Sequence, residues 1–455
     1  MSTVKSRTTD MTKGPIAKQI VFFAFPLMLG NLFQMMYNTA DTIVVGNFVG
    51  KEALAAVGAT SMITNLVFFF SGFASGASVA IGRAFGARDN ETVHNAVETA
   101  ITMTIIFSVF FTAVGIPMAK PILRWMGTPE DVFPDAAKYL QIYFAGISGL
   151  LIYNLGSGIL RSVGDSKRPL YFLIFTSILN IVLDVLFVVV FHARIAGVAL
   201  ATIISQFLSA ILILILLSTA DDVYRLTWHD LHMDPKLLRF IVSVGLPAGL
   251  QSGFTALSNI VMQSYINFFG SDVMAAWSSY TKVDQFVMLP ASSMGLSATT
   301  FVSQNVGAKE FHRAEEGSLT AAAISAAVCG VIQVLGWIGA PSVIRLFTSD
   351  APVIAQGVQF IRINFLFITA NVIDNVMMST LRGYGDSRGP MLIMTSTHVL
   401  FRQLYLYVVT HFFFNTPAAV GFAYPAGWLS CCLMMTCYYL YRKRTGFFTS
   451  AGLHS

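Results

Sequence analysis

Charged residues are scarce in this sequence of 455 residues. Asp, Glu, Lys and Arg make up only 11% of it, whereas roughly a quarter of an ordinary soluble domain is charged. Apolar residues make up 55%, so the chain has too few charges to cover a soluble exterior of this size. Lipid tolerates such a surface, and the composition therefore indicates a membrane protein.

Cysteines and catalytic motifs are also sparse. The four cysteines all lie inside apolar segments, so no disulfide framework between loops is implied. The absence of HExxH and Gly-x-Ser-x-Gly motifs argues against a membrane-embedded enzyme, and the absence of a Walker motif argues against an ATP-driven pump. The basic residues are spread between apolar runs rather than gathered in one patch, so we expect no nucleic-acid partner.

Long apolar runs are abundant, and about twenty apolar residues cross one bilayer. The longest polar stretch, 219–236, divides the chain into an N-terminal lobe, 1–218, a linker and a C-terminal lobe, 237–455. The polar N-terminus has no signal-peptide core, so we expect the first run to be a retained span. The twelve predicted spans are 16–45, 53–80, 95–118, 133–160, 169–191, 195–218, 237–268, 273–302, 314–341, 352–381, 390–412 and 418–441.

The basic residues predict the orientation. If the N-terminus is cytoplasmic, the inner loops and tails hold 19 of the 28 Lys and Arg residues and the outer loops hold six. Such a bias follows the positive-inside rule. An even number of spans, with both termini and the 219–236 linker in the cytoplasm of a bacterial-type plasma membrane, is the consistent solution.

The two halves repeat each other at an offset of 221 residues. The segment 161–169 (RSVGDSKRP) recurs as 382–390 (RGYGDSRGP), and Gly-Ala-Arg at 86–88 recurs as Gly-Ala-Lys at 307–309. The same offset relates Pro26 to Pro247. A shift of six spans makes the repeat parallel. We expect the loop motifs to build turns, with glycine in the left-handed conformation, Asp or Ser as the cap and Pro in the first turn of the next helix.

These loop signatures, the early prolines and the six-plus-six plan resemble the multidrug and toxic compound extrusion (MATE) family over nearly the whole chain. The resemblance implies an all-α membrane protein with two six-helix lobes in a V around a central cavity. It also implies alternating access driven by Na⁺ or H⁺ and the export of organic cations and other amphipathic compounds. No other cofactor is expected, the partners are small substrates and membrane lipid, and we expect a monomer.

Polar residues collect at one depth of the first lobe. Asp41 and Asp184 lie shortly before the outer ends of spans 1 and 5, and Tyr139 and Thr202 lie at a similar depth in spans 4 and 6, since a helix rises about 1.5 Å per residue. Asn180 is one turn from Asp184 and shares its face. The set predicts a cation-coupling site, either Na⁺ held by Asp41, Asn180, Asp184 and Thr202 or a proton held on a buried carboxyl.

The repeat provides an internal control. At the same offset, Asp41, Tyr139, Asn180 and Asp184 correspond to Met262, Phe360, Phe401 and Tyr405. The scaffold therefore persists without these polar groups. The set also resembles the cation site of the DinF-like branch, with Pro26 as that branch's helix-bending proline and Asn38 as a supporting residue. The alternative interpretation is that the two acids only hydrogen-bond the helices together.

The second lobe also holds ionisable residues within its spans, where charge is costly and usually has a partner or a task. Lys282, Asp284 and Arg402 lie near mid-membrane. They could pair with one another, or they could contact the substrate, and the sequence leaves both interpretations open. Asp374 resembles an acid that another branch of the family carries on span 10, so a second ion site is an alternative there. Arg362 and His398 are further intramembrane candidates.

The favoured function is a secondary antiporter that exports amphipathic or cationic compounds in exchange for H⁺ or Na⁺. The alternative is a flippase for lipid-linked precursors or polysaccharides, which the wider superfamily contains. A flippase for anionic headgroups should line its cavity with several basic residues, and the first lobe has none deep in a span.

Overall fold

The computed structural model describes residues 8–50, 53, 56–58, 60 and 68–450, and within them it is helical with no β-strand. The helices of the first half are α1 (Ile16–Val44), α2 (Phe68–Gly86), α3 (Asn90–Trp125), α4 (Phe133–Ser162), α5 (Lys167–Val185) and α6 (Arg194–Thr219). Those of the second half are α7 (Pro235–Asn267), α8 (Ser271–Gly307), α9 (Phe311–Ile338), α10 (Ala340–Arg345), α11 (Ala351–Phe365), α12 (Ile368–Gly383), α13 (Arg388–Met394), α14 (Arg402–Phe412), α15 (Pro417–Gly421), α16 (Ala423–Arg444) and α17 (Phe447–Ser450).

Three short π-helical segments continue these helices. Val45–Val49 follows α1, Leu186–Val190 follows α5, and Thr395–Phe401 joins α13 to α14. A π-helical turn widens the helix locally and is frequent at functional sites. Two of the three segments follow closely on Asp41 and Asp184.

Most predicted spans coincide with long apolar helices. Among the described residues, nine helices are long and apolar enough to cross a membrane, and α11 with α12, bent by 51°, makes a tenth. The predicted span 53–80 lies partly outside the described residues, and its described part enters α2. The predicted span 390–412 corresponds to α13, the π-helical segment and α14, which follow one another without a break. The prediction of a polytopic all-helical membrane protein is confirmed.

The repeated loop motifs form the same turns in both halves. Arg88 and Lys309 both take left-handed backbone conformations, with φ of 57° and 63°, and Gly164 and Gly385 do so with φ of 86° and 81°. The Asp165 carboxylate accepts hydrogen bonds from the backbone of Lys167 and Arg168, and that of Asp386 accepts from Gly389 N at 3.1 Å. The Gly-Asp-Ser turns therefore have the predicted conformation, whereas in the other motif the left-handed residue is Arg88 or Lys309 and not the glycine.

Contacts divide the chain into two compact units. One unit contains Leu29–Gly245, and the other contains Met11–Met28 together with Leu246–Ser455. The chain thus passes from one unit to the other inside α1, just after Pro26, and inside α7, just before Pro247. The linker predicted at 219–236 ends shortly before the second crossing, which lies between Gly245 and Leu246.

The linker 219–236 packs on the first unit. Tyr224 is buried and its hydroxyl accepts a hydrogen bond from Arg168 at 2.9 Å. The backbone of Asp234 donates to Thr99 on α3 at 3.1 Å. The linker is therefore a docked segment rather than a free tether.

Candidate cation-coupling site

Asp41 and Asp184 lie together in the first unit. Asp184, near the end of α5, is fully buried, and Asp41, near the end of α1, is half-buried. Their carboxyl groups interact directly with each other. Two carboxylates in contact repel each other unless a proton or a cation lies between them.

The polar atoms around this pair have unused hydrogen-bonding capacity. Asp41 Oδ1, both carboxylate oxygens of Asp184 and both amide atoms of Asn180 are buried without a hydrogen-bond partner among the described residues. Asn180 itself is 2% exposed. A buried polar group without a partner costs about 1–3 kcal/mol, and a proton, a cation or water at these atoms would remove that cost.

Three tyrosines complete the surroundings of the pair. Tyr37 and Tyr139 both interact electrostatically with Asp41 and Asp184, and Tyr143 interacts with the other two phenols. Tyr139 was predicted from its depth in α4. Tyr37 and Tyr143 were missed, although Tyr37 precedes Asp41 by four residues and Tyr143 follows Tyr139 by four, the spacing of neighbours on one helix face.

The remaining predicted members differ in their surroundings. Thr202 is 8% exposed on α6, and its hydroxyl donates to Val198 O at 3.0 Å. That bond leaves the lone pairs of its oxygen available as an acceptor. Asn38 is exposed on α1, and its supporting role stays a prediction. Pro26 lies inside α1, at the crossing between the two units.

Hard oxygen atoms fit either coupling ion. Two carboxylates, an amide oxygen and the Thr202 hydroxyl are the ligand types that Na⁺ takes, and a carboxyl pair can equally hold one proton. The corresponding positions of the second unit carry no carboxylate or amide: Met262 and Phe360 are fully buried in its hydrophobic core, and the Tyr405 hydroxyl donates to Ala419 O at 3.1 Å. The site thus belongs to one half of the repeat.

Lys282, Asp284 and Arg402 do not pair with one another within the described part of the chain. Arg402 is 3% exposed, donates to Ser258 Oγ at 2.5 Å and Asn259 Oδ1 at 2.9 Å, and lies 4.8 Å from the ring centre of Tyr424. Asp284 interacts with Tyr280 one turn away, and Lys282 lies over the Phe347 ring at 6.0 Å. Residues two apart on a helix point to nearly opposite sides, so Lys282 and Asp284 could not share one partner.

Asp374 has a different neighbour. Its Oδ2 lies 3.7 Å from Nε2 of His398, and both side chains are buried. The sequence singled out both residues as intramembrane ionisable groups but placed them in no common site, because they lie on different helices.

The long apolar helices and the internal repeat define a polytopic membrane protein built from two related halves. The profile of the MatE family matches residues 26–186 and 247–408, once in each half and beginning at the two prolines related by the repeat. The chain belongs to the MatE family.

Relatives and solved structures agree with this membership. The chain is similar to the probable multidrug resistance proteins YoeA (28% identity, 95% of each chain) and YpnP (31% identity, 78% of this chain and 79% of the relative) of Bacillus subtilis. A MOP superfamily transporter from Pyrococcus furiosus has the same fold, with a TM-score of 0.91, 24% identity and 99% of each chain covered.

Proposed function

We propose that the protein is a secondary active multidrug efflux antiporter. It exports amphipathic and cationic compounds in exchange for H⁺ or Na⁺ by alternating access, in a plasma membrane with both termini cytoplasmic. The family membership, the names of the B. subtilis relatives and the apolar helices support the transport of such compounds.

The contact between Asp41 and Asp184 carries the coupling part of the proposal. The pair is stable when a proton or Na⁺ neutralises one of its charges, and unstable when both carboxylates are bare. Cation entry from outside therefore changes the charge and the packing at the ends of α1 and α5. In the proposed cycle, that change favours release of the drug outward, and loss of the cation inward resets the site.

The flippase alternative has weaker support. Anionic headgroups need basic side chains that are free to bind phosphate. Arg402, the most deeply buried basic candidate of the second unit, already donates to Ser258 and Asn259 and stacks on Tyr424. The antiporter therefore remains the favoured function.

Efflux from whole cells tests the proposal. Cells that express the wild type should lose preloaded ethidium on energisation, and Asp41→Asn and Asp184→Asn should each abolish this efflux because an amide can neither carry the charge nor release a proton. Asp272→Asn is the matched control, since Asp272 is exposed and predicted to border an outer loop. If the Asp41→Asn and Asp184→Asn variants export ethidium as fast as the wild type at equal membrane expression, the pair does not couple export to a cation.

A further inference from the structure

A cluster of three metal-ligating side chains lies in the second unit, apart from the carboxylate pair. Asp374 on α12, His398 in the π-helical segment and Cys431 on α16 are 4%, 5% and 1% exposed. One donor atom from each lies within 4.8 Å of the donors of the other two. Three elements far apart in sequence thus direct a carboxylate, an imidazole and a thiol to one point.

Two donor atoms of this cluster lack a hydrogen-bond partner, whereas the Cys431 thiol is within hydrogen-bonding reach of Asp374 and Thr397. Asp374 Oδ2 and His398 Nε2 are 3.7 Å apart, too far for a hydrogen bond. Both atoms are buried without a hydrogen-bond partner among the described residues. Two orphaned polar atoms that face each other in an apolar interior are costly, and a ligand between them would remove that cost.

The spacing suits a tetrahedral metal ion. Zinc bonds to nitrogen and oxygen at about 2.0–2.2 Å and to sulfur at about 2.3 Å. Tetrahedral angles then place the donor atoms about 3.3–3.6 Å from one another. The separation of 3.7 Å between Asp374 and His398 needs only a small adjustment to reach that range.

The charges also suit a divalent ion. A thiolate, a carboxylate and a neutral imidazole around Zn²⁺ make a site with no net charge, which is the form that a buried site tolerates. Arg402, one turn after His398, is the nearby cation, and it is bound to Ser258, Asn259 and the ring of Tyr424.

The repeat indicates that the fold does not require these side chains. At the offset of 221, Asp374, His398 and Cys431 correspond to Tyr153, Ser177 and Ala210, none of which is a usual zinc ligand. We propose that Asp374, His398 and Cys431 form a binding site for one Zn²⁺ ion, which links α12, the π-helical segment and α16.

Cobalt spectroscopy of the purified full-length protein in detergent tests the proposal. Co²⁺ should bind once per chain with a thiolate-to-cobalt charge-transfer band and the strong visible bands of a tetrahedral site, and Zn²⁺ should displace it. Cys431→Ser should remove the charge-transfer band, and His398→Gln should weaken binding about 10-fold or more. Cys329→Ser, a second buried cysteine, and Cys432→Ser should both retain the spectrum.

A measurement on the wild type covers the case in which the variants do not fold. Mass spectrometry can follow the alkylation of each cysteine by N-ethylmaleimide. Zn²⁺ should slow the alkylation of Cys431 and leave the rates at Cys329 and Cys432 unchanged. Absence of both the charge-transfer band and this protection, or a band that persists in Cys431→Ser, would overturn the proposal. Neither measurement needs an ion gradient or a drug, so its result is independent of the antiport mechanism.

Discussion

Several buried acids among the described residues have opposite surroundings. Asp386 accepts hydrogen bonds from Arg442 at 2.6 Å and 3.0 Å, from Tyr438 at 2.5 Å and from Gly389 N at 3.1 Å. Asp41, Asp184 and Asp374 instead keep buried oxygen atoms without partners. A fully bonded buried acid contributes to stability, whereas an acid with unused oxygen atoms is the kind that binds an ion.

Stability should therefore depend on Asp386. Asp386→Asn removes the charge opposite Arg442, and we expect the free energy of unfolding to fall by about 1–3 kcal/mol, because the half-buried guanidinium of Arg442 then loses its charged hydrogen-bond acceptor. A thermal-shift assay in detergent measures the change. Asp350→Asn, at an exposed position, is the control, and equal melting temperatures for the two variants would contradict the interpretation.

The residues show which parts of the site a sequence can predict. Asp41 and Asp184 were predicted together because both lie near the outer ends of spans whose depth is fixed by the helical rise. Cys431 could not be joined to Asp374 and His398, because the rotation and packing of three separate helices bring them together. The proposed pairing of Lys282, Asp284 and Arg402 did not form, because Ser258 and Asn259 bind Arg402.

At the scale of elements, the linker is held to α3 by a buried glutamate. Glu98 is fully buried, with His94 Nε2 at 2.8 Å from one carboxylate oxygen and His232 Nδ1 at 2.8 Å from the other. His232 belongs to the linker, and its carbonyl oxygen lies 3.4 Å from the hydroxyl of Thr102. The docking of the linker thus includes the imidazole of His232.

Linker docking should weaken as the pH rises. The carbonyl oxygen of Asp230, followed by the carboxylates of Glu98 and Asp234, raises the pKa of His232 above its ordinary value of about 6.5. A raised folded-state pKa stabilises docking fully below about pH 6.5, and this contribution is lost as the pH rises through the folded pKa. We therefore expect the linker to exchange its amide hydrogens more readily at pH 8 than at pH 6, beyond the intrinsic effect of pH.

Two variants separate this effect from general instability. His232→Gln should flatten the pH dependence of exchange in 219–236, measured by mass spectrometry. His229→Gln changes an exposed linker histidine and should retain the wild-type profile. An unchanged profile in His232→Gln would show that this imidazole does not control docking.

Close helix packing in the first unit depends on two glycines. A Cβ at Gly76 on α2 would press against the carbonyl oxygen of Ile241 and lie 3.0 Å from Gly245 N on α7. Small residues allow such a backbone approach between membrane helices. The first turns of α7 can pack on this unit because neither position carries a side chain.

Gly76→Ala should therefore lower the melting temperature and the folded yield, since backbone atoms must move apart to admit the methyl group. Gly253→Ala is the matched control on α7, because a Cβ there meets nothing within 4 Å. Size-exclusion chromatography and thermal unfolding measure both variants. Equal behaviour of the two would show that the close approach is not needed.

At the scale of the whole chain, the repeat accounts for most of what the sequence predicts. The offset of 221 residues anticipated the paired turns at Arg88 and Lys309, and the family profile matches each half separately. The assignment of Met11–Met28 to the second unit was not predicted. Hydropathy locates a span along the chain but does not indicate which helices it packs against. The sequence therefore could not predict that the part of α1 before Leu29 belongs to the second unit.

The central claim is that one cation at Asp41 and Asp184 drives export. Its most direct test is ethidium accumulation in everted membrane vesicles, with a Na⁺ gradient and a proton gradient imposed separately. The account predicts that accumulation follows one of the two gradients and disappears in Asp41→Asn, while Asp272→Asn behaves as the wild type. Accumulation that persists in Asp41→Asn under the same gradient, at equal expression, would contradict it.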